Sequence, residues 1–224
     1  MNGELVVVDD VAQAFAERVV EAFRERPNEE FRIALSGGET ARRCYERLAT
    51  VGADTIDWWK VDIYWGDERA VPLDHHESNY CLARESLLEK VGAANMVYPM
   101  ECELGADPYQ FRIGELDAID VIHLGLGSDG HTASLFPGSP ALDADPGRLV
   151  VMNHDPSGNN PLERMTLTFS GIQRGRLVLV TVEGEQKSEA LARVAAGDDI
   201  PAARVTAPEL VWLADPAAAG ALPR

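Results

Sequence analysis

An aspartate and a histidine, Asp129 and His131, lie two residues apart in a glycine-rich segment, residues 125–132. An imidazole beside a carboxylate suits general acid–base catalysis, because histidine exchanges a proton near neutral pH. The segment also fits the dinucleotide-binding pattern G-x-G-x-x-G. Asp129 would then place a negative charge beside the pyrophosphate, and Pro137 would cut short the helix that should receive it. The pattern therefore favours a rigid loop that holds an acid/base pair.

A second group of polar residues follows another predicted strand, residues 60–65. Asp67, Glu68 and Arg69 come directly after this strand, and Asn79 follows a serine that can cap a helix. Adjacent charges are common in solvated loops. Their place after an apolar strand nevertheless favours contact with a ligand, because ligands of open α/β sheets bind beyond the carboxyl ends of the strands.

Three further places have the chemistry to bind an anion. Gly37 and Gly38 follow a strand and open a predicted helix that includes Thr40, and such a turn presents backbone N–H groups to a phosphate. Lys187 lies in the first turn of a predicted helix, where a cation is unfavourable unless an anion binds at the same helix end. Arg164 comes just before a predicted strand, and a guanidinium can bind phosphate in bidentate fashion. The plainer alternatives are a tight turn and a surface lysine paired with a glutamate.

Composition excludes several classes of protein. The chain has 224 residues, 46% of them hydrophobic, with 37 acidic and 20 basic side chains and a formal net charge of −17. This charge argues against nucleic-acid binding and against a polybasic membrane anchor. We find no signal peptide and no apolar run of transmembrane length, so we predict a soluble, cytoplasmic protein. An anionic ligand would need a local cluster of cations and amides against the negative field.

Metal-ligand patterns are weak in this sequence. His75 and His76 are adjacent, so they would not share one face of a helix, and no HxxxH or HExxH spacing occurs. Cys44, Cys81 and Cys102 form no CxxC pair and favour reduced structural thiols. We predict no metal and no cofactor.

Apolar strands alternate with amphipathic helices along the chain. The predicted strands are residues 5–8, 31–35, 60–65, 96–98, 119–124, 149–153, 165–169, 177–182 and 210–213, and the predicted helices are 11–24, 40–49, 78–88, 108–116, 185–196 and 217–222. This alternation predicts one α/β domain over residues 1–224, with a mostly parallel open sheet of Rossmann-like type and helices on both faces. Residues 155–161 read as a surface loop within it.

The motifs together resemble one family. The segments are LSGGET at 35–40, YWGDER at 64–69, SNY at 78–80, GLGSDGHTASLFP at 125–137, RMTLT at 164–168 and GEQK at 184–187. In these segments the chain is similar to the sugar-phosphate isomerases and deaminases, a family that includes the 6-phosphogluconolactonases and glucosamine-6-phosphate deaminase. The WGDER and SLFP segments favour the lactonase branch. Ala41 departs from the family, which usually has proline there, and the loop before Arg164 is less proline-rich than expected.

The resemblance implies hydrolysis of 6-phospho-D-glucono-1,5-lactone to 6-phospho-D-gluconate, a step of the oxidative pentose phosphate pathway. His131 would activate a water molecule, and Asp129 would orient the imidazole or bind a sugar hydroxyl. Backbone N–H groups or Arg69 would stabilise the oxyanion, while Asp67 and Asn79 would bind sugar hydroxyls. The phosphate pocket would consist of Gly37, Gly38, Thr40, Arg164 and Lys187.

Two other functions remain open at this point. One is a deaminase or aldose/ketose isomerase that acts on an amino-sugar phosphate, and the other is a non-catalytic sugar-phosphate sensor. In each case the partner is a small sugar phosphate, and we predict a monomer or small homo-oligomer.

Overall fold

Strands and helices alternate along most of the chain in a computed structural model that describes residues 1–92 and 94–222. The strands are β1 (Glu4–Val7), β2 (Phe31–Leu35), β3 (Val61–Trp65), β4 (Asp67–Arg69), β5 (Met96–Val97), β6 (Ile119–Gly125), β7 (Val150–Asn153), β8 (Arg164–Leu167), β9 (Gly175–Val182) and β10 (Glu209–Ala214). The helices are α1 (Val11–Glu25), α2 (Glu39–Val51), α3 (Asn79–Ala83), α4 (Glu89–Val91), α5 (Ala106–Gly114), α6 (Phe169–Ile172) and α7 (Ser188–Ala196). A π-helical turn, Arg84–Leu88, joins α3 to α4.

Helix α1 shows how local sequence sets an element. Asp10 caps the N-terminus of this helix, and its side-chain carboxylate accepts a hydrogen bond from the Gln13 N–H at 2.9 Å. Phe15, Val19 and Phe23 recur at helical spacing, and all three are buried against the sheet. The predicted helix over residues 11–24 therefore agrees with α1 to within one residue.

Seven strands form one parallel sheet in the order β1-β10-β9-β6-β2-β3-β5. Strand β3 is buried at every position and β6 at every position but its last. Because successive side chains of a strand point to opposite faces, both faces of the central sheet are covered. The predicted α/β fold with a mostly parallel sheet is confirmed.

The order of the strands places a switch point between β2 and β6. From β2 the chain continues outward through β3 to β5, and it then returns to the other side of β2 and continues through β6 and β9 to β10. The loops that leave β2 and β6 therefore diverge and open a crevice at the carboxyl edge of the sheet.

A second, smaller sheet was not predicted. Strands β4, β8 and β7 pair antiparallel in the order β4-β8-β7, and β4 follows β3 after the single residue Gly66. The residues of β4 read as a loop in the sequence because their charges lack strand periodicity. Arg164 was expected just before a strand, but it is the first residue of β8 and pairs with Arg69. This small sheet carries Asp67 and Arg69 away from the edge of β3 and over the crevice.

Three predicted helices differ in form. The segment predicted as one helix over 78–88 consists of α3 followed by the π-helical turn. The segment predicted as one helix over 185–196 begins with a 3₁₀ turn, Glu185–Lys187, and continues as α7. The predicted closing helix is a 3₁₀ turn, Ala218–Ala221. Among the residues that the structure describes, no helix combines the length and the apolar character needed to cross a bilayer.

Candidate active site

A cleft of about 460 Å³ opens at the switch point between β2 and β6. Its lining consists of Ser36, Gly37, Gly38, Asp67, Arg69, Asn79, Gly125, Leu126, Gly127, Ser128, Asp129, His131, Ala133, Asn159, Asn160 and Lys187. Eight of the ten predicted site residues are among them. Thr40 and Arg164 are not. The structure thus gathers residues from the ends of four strands around one space.

Asp129 and His131 form a direct pair in this cleft. The Nδ1 atom of His131 lies 2.6 Å from Oδ1 of Asp129, which also accepts a hydrogen bond from the backbone N–H of His131 at 3.0 Å. Burial acts to raise the pKa of Asp129, but the hydrogen bonds and the charge interaction with His131 outweigh it and lower this pKa below its ordinary value. An ionised carboxylate only accepts hydrogen bonds, so in the neutral ring of His131 the proton is on Nδ1 and the lone pair is on Nε2.

The backbone around this pair is tightly constrained. A side chain at Gly127 would overlap the His131 ring, and the Gly127 N–H donates a hydrogen bond to the His131 carbonyl oxygen at 2.8 Å. Gly130 adopts a φ of +91°, which favours glycine, and Ala133 adopts a φ of +47°. A non-glycine residue in the left-handed region stores strain, and such strain is characteristic of functional loops.

Asp67 and Asn79 form a second polar group opposite the pair. Both carboxylate oxygens of Asp67 already accept hydrogen bonds, from Ser134 Oγ at 2.6 Å and from Asn79 Nδ2 at 3.2 Å. The Oδ1 atom of Asn79 is buried and has no hydrogen-bond partner among the described residues. It lies so close to Gly37 that a side chain there would overlap it. Asp67 therefore orients its neighbours, and Asn79 Oδ1 offers an acceptor.

Glu68 points away from the cleft and caps α3. Its side chain is fully buried, and it accepts hydrogen bonds from Ser78 Oγ and from the backbone N–H groups of Arg69, Asn79 and Tyr80 at 2.6–2.9 Å. Burial raises the pKa of Glu68, although these hydrogen bonds oppose the shift. The glutamate of the WGDER segment is therefore a structural residue.

We expect the Glu68→Gln variant to lose about 1–3 kcal/mol of unfolding free energy, because an amide nitrogen would face N–H donors that now have a carboxylate acceptor. Urea unfolding measures this loss. The matched control is Glu115→Gln at an exposed glutamate. Equal stability of the two variants would contradict the capping role.

The cleft also has the groups expected for binding an anion. Gly38 adopts a φ of +96° and precedes α2, while Lys187 is half-buried and ends the 3₁₀ turn before α7. Burial lowers the pKa of Lys187, and the charge of Asp129 opposes this shift. Thr40 lies in the first turn of α2, half-buried and outside the lining of the cleft.

Two arginines pair across the small sheet. Arg69 Nη1 donates a hydrogen bond to the Glu77 carbonyl oxygen at 2.6 Å. Within the described ranges, Arg69 Nε and Arg164 Nη1 are buried without a hydrogen-bond partner. Burial, together with the charge of Arg69, lowers the pKa of Arg164. Since a buried guanidinium N–H is costly to leave unbonded, this pair is suited to an oxygen-rich anion.

The loop over residues 155–161 contributes two residues that the sequence analysis missed. Asn159 and Asn160 line the cleft. Asp155 holds their loop, because it accepts hydrogen bonds from the backbone and side chain of both Ser157 and Asn160 at 2.7–3.0 Å. These bonds lower the pKa of Asp155 to about 2, against the effect of burial. An aspartate two residues before a serine was the available signal.

The adjacent histidines lie outside the cleft lining. His75, His76 and Glu77 place one donor atom each within 4.8 Å of one another. The Nδ1 atom of His75 already accepts a hydrogen bond from the Glu77 N–H at 3.2 Å, and two of the three residues are exposed. These three side chains therefore take no part in the chemistry of the cleft.

A family model agrees with this geometry. The model described as "Glucosamine-6-phosphate isomerases/6-phosphogluconolactonase" matches residues 5–212. The chain belongs to this family. A 6-phosphogluconolactonase of Synechocystis sp. is 36% identical, with 94% of this chain and 91% of the relative covered. Another from Mycobacterium tuberculosis is 38% identical over 85% of each chain.

Solved structures of the glucosamine-6-phosphate isomerase/6-phosphogluconolactonase family are similar in fold. The crystal structure of 6-phosphogluconolactonase from Thermotoga maritima has a TM-score of 0.82 at 27% identity, and the match covers 95% of this chain and 99% of that chain. A monomeric glucosamine-6-phosphate deaminase has the same TM-score at 18% identity, which shows the fold alone. The predicted family and the predicted enzyme class, a carboxylic ester hydrolase, are confirmed by these relatives.

Proposed function

We propose that this chain hydrolyses 6-phospho-D-glucono-1,5-lactone to 6-phospho-D-gluconate with a water molecule activated by His131. The observation that carries this proposal is the Asp129–His131 pair, whose 2.6 Å hydrogen bond leaves Nε2 as the basic nitrogen in a cleft that also holds Lys187 and two glycines. The names of the curated relatives support the same substrate.

One proton of the water moves to His131 and then to the leaving ring oxygen, and the other is released to solvent when the new carboxylic acid ionises. Nε2 of His131 takes a proton from water as the water oxygen attacks the lactone carbonyl carbon. The tetrahedral intermediate then expels the ring oxygen, which takes the proton back from the imidazolium and becomes a free hydroxyl. Asp129 remains ionised throughout and stabilises the imidazolium, consistent with its lowered pKa.

Negative charge develops on the carbonyl oxygen during attack. Arg69 lines the cleft, and its buried Nε has no partner among the described residues, so we assign it to the oxyanion. Asn79 Oδ1, also without a partner there, would accept a hydrogen bond from a sugar hydroxyl. Asp67 orients Asn79, and because each of its oxygens accepts one hydrogen bond from these neighbours and has a second lone pair, it would also accept a hydrogen bond from a sugar hydroxyl.

We assign the phosphate to the end of the cleft that is lined by Lys187, Gly37 and Gly38. Gly37 and Gly38 bring the backbone at the start of α2 to this end, and Lys187 supplies a partly desolvated cation. Thr40 and Arg164 remain predicted phosphate residues, but neither lines the cleft, and Arg164 lies beside Arg69 in the small sheet. This cluster would allow a chain of net charge −17 to bind a doubly charged sugar ester.

Lactone hydrolysis coupled to oxidation of 6-phosphogluconate tests the proposal, with a blank for spontaneous hydrolysis. We expect a rate that rises with enzyme concentration well above the blank. Release of ammonia from glucosamine-6-phosphate, or tight binding of 6-phosphogluconate without hydrolysis, would instead support the deaminase or the sensor. Cytoplasmic location and a monomer or small homo-oligomer remain predictions.

We expect the Lys187→Met variant to raise the KM for the phosphorylated lactone about 10- to 100-fold, because it loses one charged hydrogen bond to the phosphate. The kcat should change little, because the proposed partner of this lysine is the phosphate and not the reacting carbonyl. The matched control is Lys90→Met, which removes a surface lysine paired with Glu46. An unchanged KM would mean that the phosphate binds elsewhere.

A further inference from the structure

The hydroxyl of Tyr45 takes the place of a strand partner at the end of β2. It accepts a hydrogen bond from the Ser36 N–H at 2.6 Å and lies 3.1 Å from the Ser36 carbonyl oxygen. Ser36 is the first residue after β2, and it is followed by Gly37 and Gly38. Tyr45 is fully buried in α2. One hydroxyl thus orients the peptide groups that lead into the anion end of the cleft.

Tyr109 makes the same arrangement at the end of β3. Its hydroxyl accepts a hydrogen bond from the Trp65 N–H at 2.8 Å and donates to the Trp65 carbonyl oxygen at 3.2 Å. The neighbouring strand β5 is short and pairs only with Asp62 and Ile63, so it ends before it could bond Trp65. Gly66 and the cleft residue Asp67 follow directly.

We propose that Tyr45 and Tyr109 are positioning residues for the two halves of the active site. Their hydroxyls, here called the tyrosine clamps, set the direction in which the chain leaves β2 and β3. The Tyr45 clamp positions the glycines that bind phosphate, and the Tyr109 clamp positions the segment of Asp67 and Arg69. This inference rests on the proposed lactonase function and extends it to residues outside the cleft lining.

The Tyr45 clamp is tied to two further strands. Nδ1 of His123 lies 2.9 Å from the Tyr45 hydroxyl, and Nε2 of His123 lies 2.9 Å from Thr181 Oγ1. Burial lowers the pKa of His123 to about 3, so the ring is neutral and donates at one nitrogen while it accepts at the other. His123 lies in β6 and Thr181 in β9, which lead to the Asp129–His131 pair and to Lys187.

This chain of bonds crosses the three neighbouring strands β2, β6 and β9 beneath the cleft. A fully bonded buried network specifies one arrangement, since every alternative leaves a polar group unsatisfied. Each tyrosine hydroxyl could instead serve stability alone. A positioning role and a purely stabilising role differ in their kinetics, because Tyr45 bonds the residue before the proposed phosphate glycines whereas Tyr109 bonds the residue before Gly66 and Asp67.

The experiment compares Tyr45→Phe and Tyr109→Phe, each of which removes a single hydroxyl. For each variant we would measure kcat and KM with the phosphorylated lactone, and the Kd of 6-phosphogluconate by calorimetry, well below the melting temperature. In Tyr45→Phe we expect KM and Kd to rise about three- to tenfold while kcat stays within about twofold. In Tyr109→Phe we expect kcat to fall about three- to tenfold while Kd stays within about twofold.

The matched control is Tyr98→Phe, whose ring stacks on Tyr64 at 5.0 Å outside the cleft lining. Variants that melt earlier but match this control in kcat, KM and Kd would overturn the proposal. An equal rise of Kd and fall of kcat in both clamp variants would also overturn it. If the wild-type chain binds 6-phosphogluconate without hydrolysing the lactone, the proposed function fails, while the Kd of Tyr45→Phe still decides on that clamp.

Amide hydrogen exchange of the wild-type chain provides a test that needs no variant. Slow exchange of both the Ser36 and the Trp65 amides, with protection close to that of the central strands, supports the clamps. Rapid exchange of either amide would overturn the proposal for that tyrosine, even if a phenylalanine variant failed to fold.

Discussion

The His131→Ala variant is expected to lose about 10²–10⁴-fold in kcat, the usual contribution of a general base. The imidazole is the group in the cleft with a free basic nitrogen held by an ionised carboxylate, at 2.6 Å between Nδ1 and Asp129 Oδ1. The variant keeps Lys187, Gly37 and Gly38, the residues proposed to bind the phosphate, so the Kd of 6-phosphogluconate should stay within about threefold. The coupled lactonase assay and calorimetry measure both quantities.

The control for this variant is His76→Ala, which removes an exposed imidazole that does not line the cleft. Turnover of His131→Ala at the level of this control would exclude His131 as the base. The Asp129→Asn variant adds a second arm, because an amide can donate to Nδ1 and so stabilise the wrong tautomer of the ring. A fall in kcat without a rise in Kd would assign Asp129 to orienting the base rather than to binding a hydroxyl.

The Gly127→Ala variant should have a kcat about 100-fold below that of the wild type, while its melting temperature should change little. A methyl group at this position would overlap the His131 ring and come close to Asp129, so the ring must move. A displacement of about 1 Å at a reacting group is enough for a loss of this size. The measurement is kcat together with the melting temperature.

The comparison variant is Gly114→Ala at the end of α5, where a methyl group would meet no neighbour. If Gly127→Ala kept normal turnover, the position of the His131 ring would not matter to the reaction. A large fall in melting temperature would show that the loop stabilises the fold as a whole.

The helices and strands that depend on local sequence patterns could be predicted. Helix α1 followed from a capping aspartate and the 3.6-residue spacing of Phe15, Val19 and Phe23, and the central strands followed from short apolar runs. The acid/base pair was equally visible, because its two residues are separated by a single glycine in a motif of high specificity. The family resemblance added the substrate class.

Structural features that depend on contacts between residues far apart in the chain could not be predicted from the sequence. Strand β4 pairs with β8, almost a hundred residues later, and this pairing buries Arg164 behind Arg69 instead of at the cleft surface. The hydroxyls of Tyr45 and Tyr109 bond to backbone groups, and such bonds leave no pattern in side-chain type or spacing.

Local sequence is enough to show which residues carry chemistry and that most of them follow a strand, since propensity and hydrophobic spacing act within about ten residues. Which of those strand ends meet depends on the tertiary structure. The order of the sheet places the loops after β2 and β6 at a common switch point, and the small antiparallel sheet brings Asp67 and Arg69 to the same space. That choice depends on burial and hydrogen bonds between segments far apart in the chain, whose free energy exists only when the whole sheet is assembled.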